Sequence, residues 1–117
     1  MIDFSKCPCI YWSDSTKISY LQRRIIVYSL MYYDMNESCI SDFEYDSITR
    51  QLIQMQNEAD PKELRKSTYY YVMRDFTGGT GFNIRSRLTR YDREYLTDIA
   101  EHVHKAWEEN GKRRIYK

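Results

Sequence analysis

Tyr32-Tyr33-Asp34-Met35-Asn36-Glu37-Ser38-Cys39-Ile40-Ser41-Asp42-Phe43-Glu44-Tyr45-Asp46 joins two stretches of helical periodicity through a short polar connection. Upstream, from Lys17 to about Met35, Ile18, Leu21, Ile25, Tyr28 and Tyr32 recur at helical spacing, and Ile26, Leu30 and Met31 widen the apolar sector. Asn36 to Ile40 interrupts that pattern. Ser41 followed by Glu44 has the form of a capping box, which starts a second helix with Asp42 and Phe43 in its first turn. Tyr45, Ile48, Leu52 and Met55 form its expected inner face, fading at Asn57-Glu58. Residues 17–61 therefore read as a helical hairpin.

On the N-terminal side, Met1 to Thr16 reads as an irregular or short-stranded lead-in, with Ser15 or Thr16 as the cap of the first long helix. On the C-terminal side, Asp60-Pro61-Lys62-Glu63 supplies a cap, a first-turn proline and an acceptor, so another helix is expected there. The three tyrosines Tyr69 to Tyr71 also suit a strand, but the run lacks clean alternation, and the expectation is helix as far as Phe76. Thr77-Gly78-Gly79-Thr80-Gly81 ends it, and Asn83 to Leu88 forms a short helical turn. Thr89 and Asp92 resemble a cap pair before a helix from Arg90 to about Asn110. Its expected inner face is Tyr91, Tyr95, Ile99, Val103 and Ala106, supported by Leu96 and Trp107. Gly111 is the expected stop, with Lys112-Arg113-Arg114 beside the helix C-terminus. The fold class is all-α: one compact helical domain over residues 1–117, with a hairpin at 17–61 and a tyrosine- and arginine-rich helical extension at 62–117.

A chain of 117 residues holds one core. Its 18 basic and 17 acidic residues nearly cancel, which gives no general attraction for nucleic acid. Twelve tyrosines put hydroxyls on much of the nonpolar surface, which suits both cores and interfaces. No apolar run is long enough to cross a bilayer, and Met1-Ile2-Asp3-Phe4 lacks a signal-peptide pattern, so a cytoplasmic protein without a membrane partner is expected. Three cysteines fit a disulfide framework poorly. Cys7-Pro8-Cys9 has no second ligand pair, and His102 and His104 point to different faces of a helix, so no metal is expected.

Asp42 and Asp46 are four apart, so a helix sets both carboxylates on one side with Tyr45 beside them. Tyr32 and Tyr33 would stack on a flat ring while the two aspartates accept hydrogen bonds from ribose or amide groups. These residues, with Leu52, Glu58 and Pro61, resemble the small helical Ia domain at the N-terminus of bacterial NAD-dependent DNA ligases. The resemblance covers roughly Leu21 to Pro61 and is most specific from Ile40 to Asp46. It implies a helical element that closes over the nicotinamide mononucleotide (NMN) half of NAD, with Tyr32, Tyr33, Asp42, Tyr45 and Asp46 at the matching positions. Tyr33 stands where that family has histidine. No Lys-x-Asp-Gly motif, zinc module or helix-hairpin-helix signature accompanies the match, so the resemblance brings no adenylation nucleophile and a complete ligase is excluded. A phage-encoded stand-alone relative is the form it suggests.

Thr77-Gly78-Gly79-Thr80-Gly81-Phe82 lacks the lysine of a phosphate loop and reads as a reversal. Tyr69, Tyr70, Tyr71, Arg74, Arg85 and Arg87 form a candidate surface for protein or nucleic acid, with Asp75, Asp92 and Glu94 interrupting its charge. No catalytic constellation can be assembled. The expectation is a non-enzymatic interaction or regulatory protein that requires no cofactor, such as a viral or mobile-element inhibitor of a host nucleic-acid or defence enzyme, acting in the host cytoplasm. Alternatives are a module that binds NAD, NMN or a similar nucleotide, and a DNA- or RNA-binding module.

Overall fold

Helix α1 (Asp14–Asp34) is the axis around which the other elements pack, touching α2 (Asp42–Glu58), α3 (Pro61–Arg65), α5 (Ile84–Arg87) and α6 (Arg90–Glu109). The computed structural model describes residues 2–5, 9–34, 40–78 and 83–109, and a short α4 (Tyr70–Met73) lies between α3 and α5. Among the described residues every regular element is helical, as the all-α reading expected, and the lead-in read as irregular or short-stranded carries a 3-10 turn over Cys9–Tyr11. Ile18, Leu21, Ile25, Ile26, Leu30 and Met31 of α1 are fully buried, on a sector far wider than a one-sided amphipathic helix needs. Ile48 and Leu52 of α2, Val72 and Met73 of α4, Ile84 and Leu88 around α5, and Leu96 and Ala100 of α6 complete the core.

The helix starts follow their capping chemistry, with one displacement. Ser13, not Ser15 or Thr16, caps α1: its Oγ accepts from Thr16 N at 3.3 Å and its carbonyl accepts from Lys17 N at 3.0 Å. Starting there puts Asp14 in the first turn, where the helix dipole favours a carboxylate. Ser41 caps α2 by accepting from Glu44 N at 3.1 Å, and Asp60 caps α3 by accepting from Lys62 N at 2.8 Å. Thr89 does the same for α6, accepting from Asp92 N at 3.2 Å.

The helix expected to run from Pro61 to Phe76 is broken. It ends at Arg65, and α4 begins only at Tyr70. The cause lies in α1, where Ser19 Oγ accepts from Thr68 N at 2.9 Å and Gln22 Oε1 accepts from Tyr69 N at 3.1 Å. Gln22 is fully buried, and its Nε2 donates to Gln56 Oε1 at 3.0 Å and to Ser67 Oγ at 3.1 Å. Gln56 Nε2 in turn donates to the Met73 carbonyl at 3.1 Å. A buried carboxamide left unpaired is expensive, and residues 67–69 leave helical geometry to satisfy this one.

Helix α6 is turned relative to its expected face. Leu96 and Ala100 are buried with Ile99 and Val103 packed against the core, whereas Tyr91 is 76% exposed, Tyr95 47% exposed, and Ala106 also lies outward. Steps of four residues advance ~40° beyond a full turn, so a stripe from Tyr91 to Ala106 winds around the helix. The set at 96, 99, 100 and 103 stays on one face. The side chain of Trp107, and Gly111 with the basic tail after it, lie outside the described residues.

Outside the helices, Gln51 clasps the N-terminal segment, accepting from Ile2 N at 2.8 Å and donating to Ile2 O at 2.7 Å. Gly78 has φ +97°, and a Cβ there would stand 3.5 Å from both Ile53 and Thr49, so the conformation and not the space selects glycine. Gly79 to Phe82, the rest of the expected reversal, lie outside the described residues.

The buried polar groups give a paired test. Gln22→Met keeps the volume but strands the Tyr69 amide and Gln56, and should lose about 1–3 kcal/mol in urea unfolding. Thr49 Oγ1 is buried and makes no hydrogen bond of good geometry among the described residues, with the Tyr45 hydroxyl as a weak neighbour, so Thr49→Val should change stability by less than about 1 kcal/mol in the same experiment.

Candidate functional site

Two regions gather chemically capable side chains, and they lie toward opposite ends of α1. At its C-terminal end, Tyr32 and Tyr33 meet edge to face at 4.9 Å between centroids, with Tyr32 57% exposed and Tyr33 half-buried. From α2, the Tyr45 hydroxyl lies 3.4 Å from Ser29 Oγ. Ser29 Oγ also donates to the Ile25 carbonyl at 2.9 Å. Burial raises the Tyr45 pKa above the ordinary tyrosine value; the Ser29 bond opposes the rise, and nearby Tyr33 and Asp46 add to it. Tyr33 and Asp46 are thus near enough to Tyr45 to act on it electrostatically. Asp42, one residue after the cap, is exposed, as is Asp46. Met35 to Cys39, the connection that would complete a ligand cage, lie outside the described residues.

The tyrosine- and arginine-rich surface is largely committed to internal contacts. Tyr69 is only 4% exposed, which removes its ring as an open stacking platform; the Gln22 bond to its amide draws it inward. Tyr70 is half-buried, and Tyr71, 41% exposed, donates from its hydroxyl to Asp92 Oδ2 and accepts from Thr89 N at 3.3 Å. Arg85 pairs with Asp34 at the end of α1, and Arg87 reaches Asp75 at 2.8 Å and the Val72 carbonyl at 3.3 Å. Arg74 is exposed.

Toward the N-terminal end of α1 lies a second arrangement that the sequence pattern did not disclose. A cleft of about 380 Å³ is lined by Trp12, Thr16, Ser19, Tyr20, Arg23, Thr68, Tyr69 and Tyr95. Trp12 and Tyr20 pack edge to face at 5.5 Å, and Phe4 joins both at 6.1 Å. The guanidinium of Arg23 stands 5.8 Å from the Tyr20 ring centroid, and that of Arg24 stands 5.7 Å from the same ring. Arg24 also donates to the Tyr20 hydroxyl at 3.2 Å and to the Tyr28 hydroxyl. From the rim, the aromatic surface continues along α6, where Tyr91 and Tyr95 stack with their planes 9° apart.

The available signal for this cleft was local. Tyr20, Arg23, Arg24 and Tyr28 form a ladder of aromatic and cationic residues at helical spacing. Trp12 sits in a segment without periodicity, and Tyr69 enters the wall only because of the break between α3 and α4.

No group of three or more metal-ligating side chains assembles among the described residues, and no helix described is long and apolar enough to cross a membrane. The chain matches no protein-family model, no curated protein and no solved structure.

The tyrosines set a pH dependence. Burial is the chief cause that pushes the Tyr69 hydroxyl up to about 12, reinforced by the charge of Asp92 and opposed by Arg23, and Tyr45 and Tyr71 are also raised. A raised folded-state value favours the protonated fold, so this contribution is complete below about pH 10 and is lost as pH rises through about 12. Phenolate absorbance should show these late-titrating groups, and Tyr69→Phe should remove one of them and flatten the alkaline fall in stability.

Proposed function

We propose that this protein is a non-catalytic module that docks on another protein through the aromatic surface running from the α1 cleft to Tyr91 on α6. The observation that carries this reading is the outward placement of Tyr91 and Tyr95, stacked on each other while Leu96 and Ala100 hold the helix to the core. Tyrosine, tryptophan and arginine supply much of the energy of protein interfaces, since they bury large area at modest entropic cost. A nucleic-acid surface is less well supported, because Arg85 and Arg87 are paired with Asp34 and Asp75 and have little charge left for phosphates.

The likeness to the ligase Ia domain enters as ancestry of the scaffold. It is supported by the packing of α1 against α2 and by the Ser41 cap that orients the start of α2. Such a relative, carrying no adenylating lysine motif, suits a regulator of a replication, repair or defence enzyme, with a viral or mobile-element origin as the natural setting. A second reading, binding of NAD or NMN at the α1–α2 turn, is favoured by the convergence of Tyr33, Tyr45 and Asp46.

Affinity capture with the intact chain, comparing wild type with the double variant Tyr91→Ser/Tyr95→Ser, tests the docking reading. A partner held by the wild type should be lost or weakened roughly ten-fold or more by the double variant, at unchanged helical content. A partner retained equally by both would reject that surface. For the second reading, calorimetric titration with NMN should show saturable heat that Asp46→Ala diminishes, and a flat titration of the folded protein removes it.

A further inference from the structure

Arg85, Arg87 and Arg90 each pair with a carboxylate, but Arg23 has none within ion-pair distance among the described residues, and it lines the cleft in a half-buried position. Beside it, Tyr69 is 96% removed from solvent and still lines the cleft, and its hydroxyl, bonded to none of the described residues, is not among the buried atoms and so opens to the solvent of the cleft. The backbone amide of Tyr69 is fully engaged with Gln22, so this side chain is held in place without any bond of its own. A guanidinium with no carboxylate and a phenol with no bond to the described residues share one recess with Thr68, and make a set of donors open to an acceptor from outside. The ring of Tyr20 beneath Arg23 keeps the guanidinium in place through its π face, and Trp12 and Tyr95 add flat apolar area.

We propose that this cleft is a recognition pocket for a carboxylate side chain of a partner protein, bound by Arg23 and the Tyr69 hydroxyl with an adjacent apolar or aromatic residue laid against Trp12 and Tyr95. The proposal rests on the docking function above and specifies what that surface reads. Charge balance selects a carboxylate over a phosphate. One guanidinium lines the cleft, and the negative Asp92 acts on Tyr69 from nearby, which suits a singly charged group and opposes a doubly charged one. The planar fork of arginine also matches two carboxylate oxygens, with the phenol left to donate a further bond.

The experiment follows the Trp12 indole N–H resonance of the intact protein by NMR during titration with the blocked dipeptide acetyl-Phe-Glu-amide, its acetyl-Phe-Gln-amide counterpart, and inorganic phosphate. The glutamate peptide should shift the resonance saturably and bind about ten-fold more tightly than the glutamine peptide, the difference expected for one charge-assisted pair. Arg23→Gln should abolish that preference, and Tyr69→Phe, which keeps the ring and its packing, should weaken the glutamate peptide several-fold. Equal binding of the two peptides, a glutamate preference that survives Arg23→Gln, or a stronger response to phosphate than to the glutamate peptide would each overturn the carboxylate assignment. A partner that depends on Tyr91 and Tyr95 without any glutamate preference leaves the docking function standing and removes only this pocket.

Discussion

The side chain of Gln22 is the constraint on which the rest of this molecule depends. It is buried in the middle of the central helix, with a donor and an acceptor that cannot reach water. It ties α1 to α2 through Gln56 and to residues 67–69 through Ser67 and the Tyr69 amide. Ser19, one turn earlier, extends the same grip to the Thr68 amide. An isolated hydrogen bond stabilises a fold by only about 1 kcal/mol, but the cost of leaving several buried groups unpaired makes the network an all-or-none choice of geometry. That choice breaks the third helix, swings Tyr69 inward and builds one wall of the cleft.

This explains which parts of the fold were legible in the sequence. Local chemistry marked Ser41, Asp60 and Thr89 as helix starts because a cap and its recipient lie within three residues of one another. The aliphatic part of the inner faces of α1 and α2 was legible from its regular period, whereas Tyr32, counted on the α1 stripe, is 57% exposed. The break after Arg65 was not, since its cause is a glutamine more than forty residues away that an apolar pattern counts as an interruption. The rotation of α6 was missed for a related reason. Tyrosine counts as apolar in a periodicity, although its hydroxyl lets it lie on a surface, and Tyr91 and Tyr95 do so.

The candidate sites divide along the same line. Around the α1–α2 turn, Tyr33 and Asp46 act electrostatically on the half-buried Tyr45, while Asp42 and Asp46 face water. In the tyrosine- and arginine-rich segment, the linear reading gave a charge interrupted by Asp75, Asp92 and Glu94, and Arg87 pairs with Asp75. The pairing of Arg85 with Asp34, from the end of α1, left no trace in that reading. The cleft drew on four separate segments, around Trp12, α1, Thr68 to Tyr69 and Tyr95, so only the folded chain reveals it.

The clasp between Gln51 and Ile2 bears on how freely the sequence can drift. A primary carboxamide presents its donor and acceptor much as a peptide group does, so Gln51 addresses the backbone of position 2 as a neighbouring strand would. Recognition of backbone is blind to the side chain beyond its packing. Position 2 should therefore accept most apolar residues other than proline, which lacks the amide hydrogen. Position 51 has no such latitude. Asparagine is a methylene short and glutamate has no hydrogen to donate, so the polar part of the N-terminal segment's anchorage, beside the packing of Ile2 and Phe4, rests on one residue of α2 while its counterpart is free to vary.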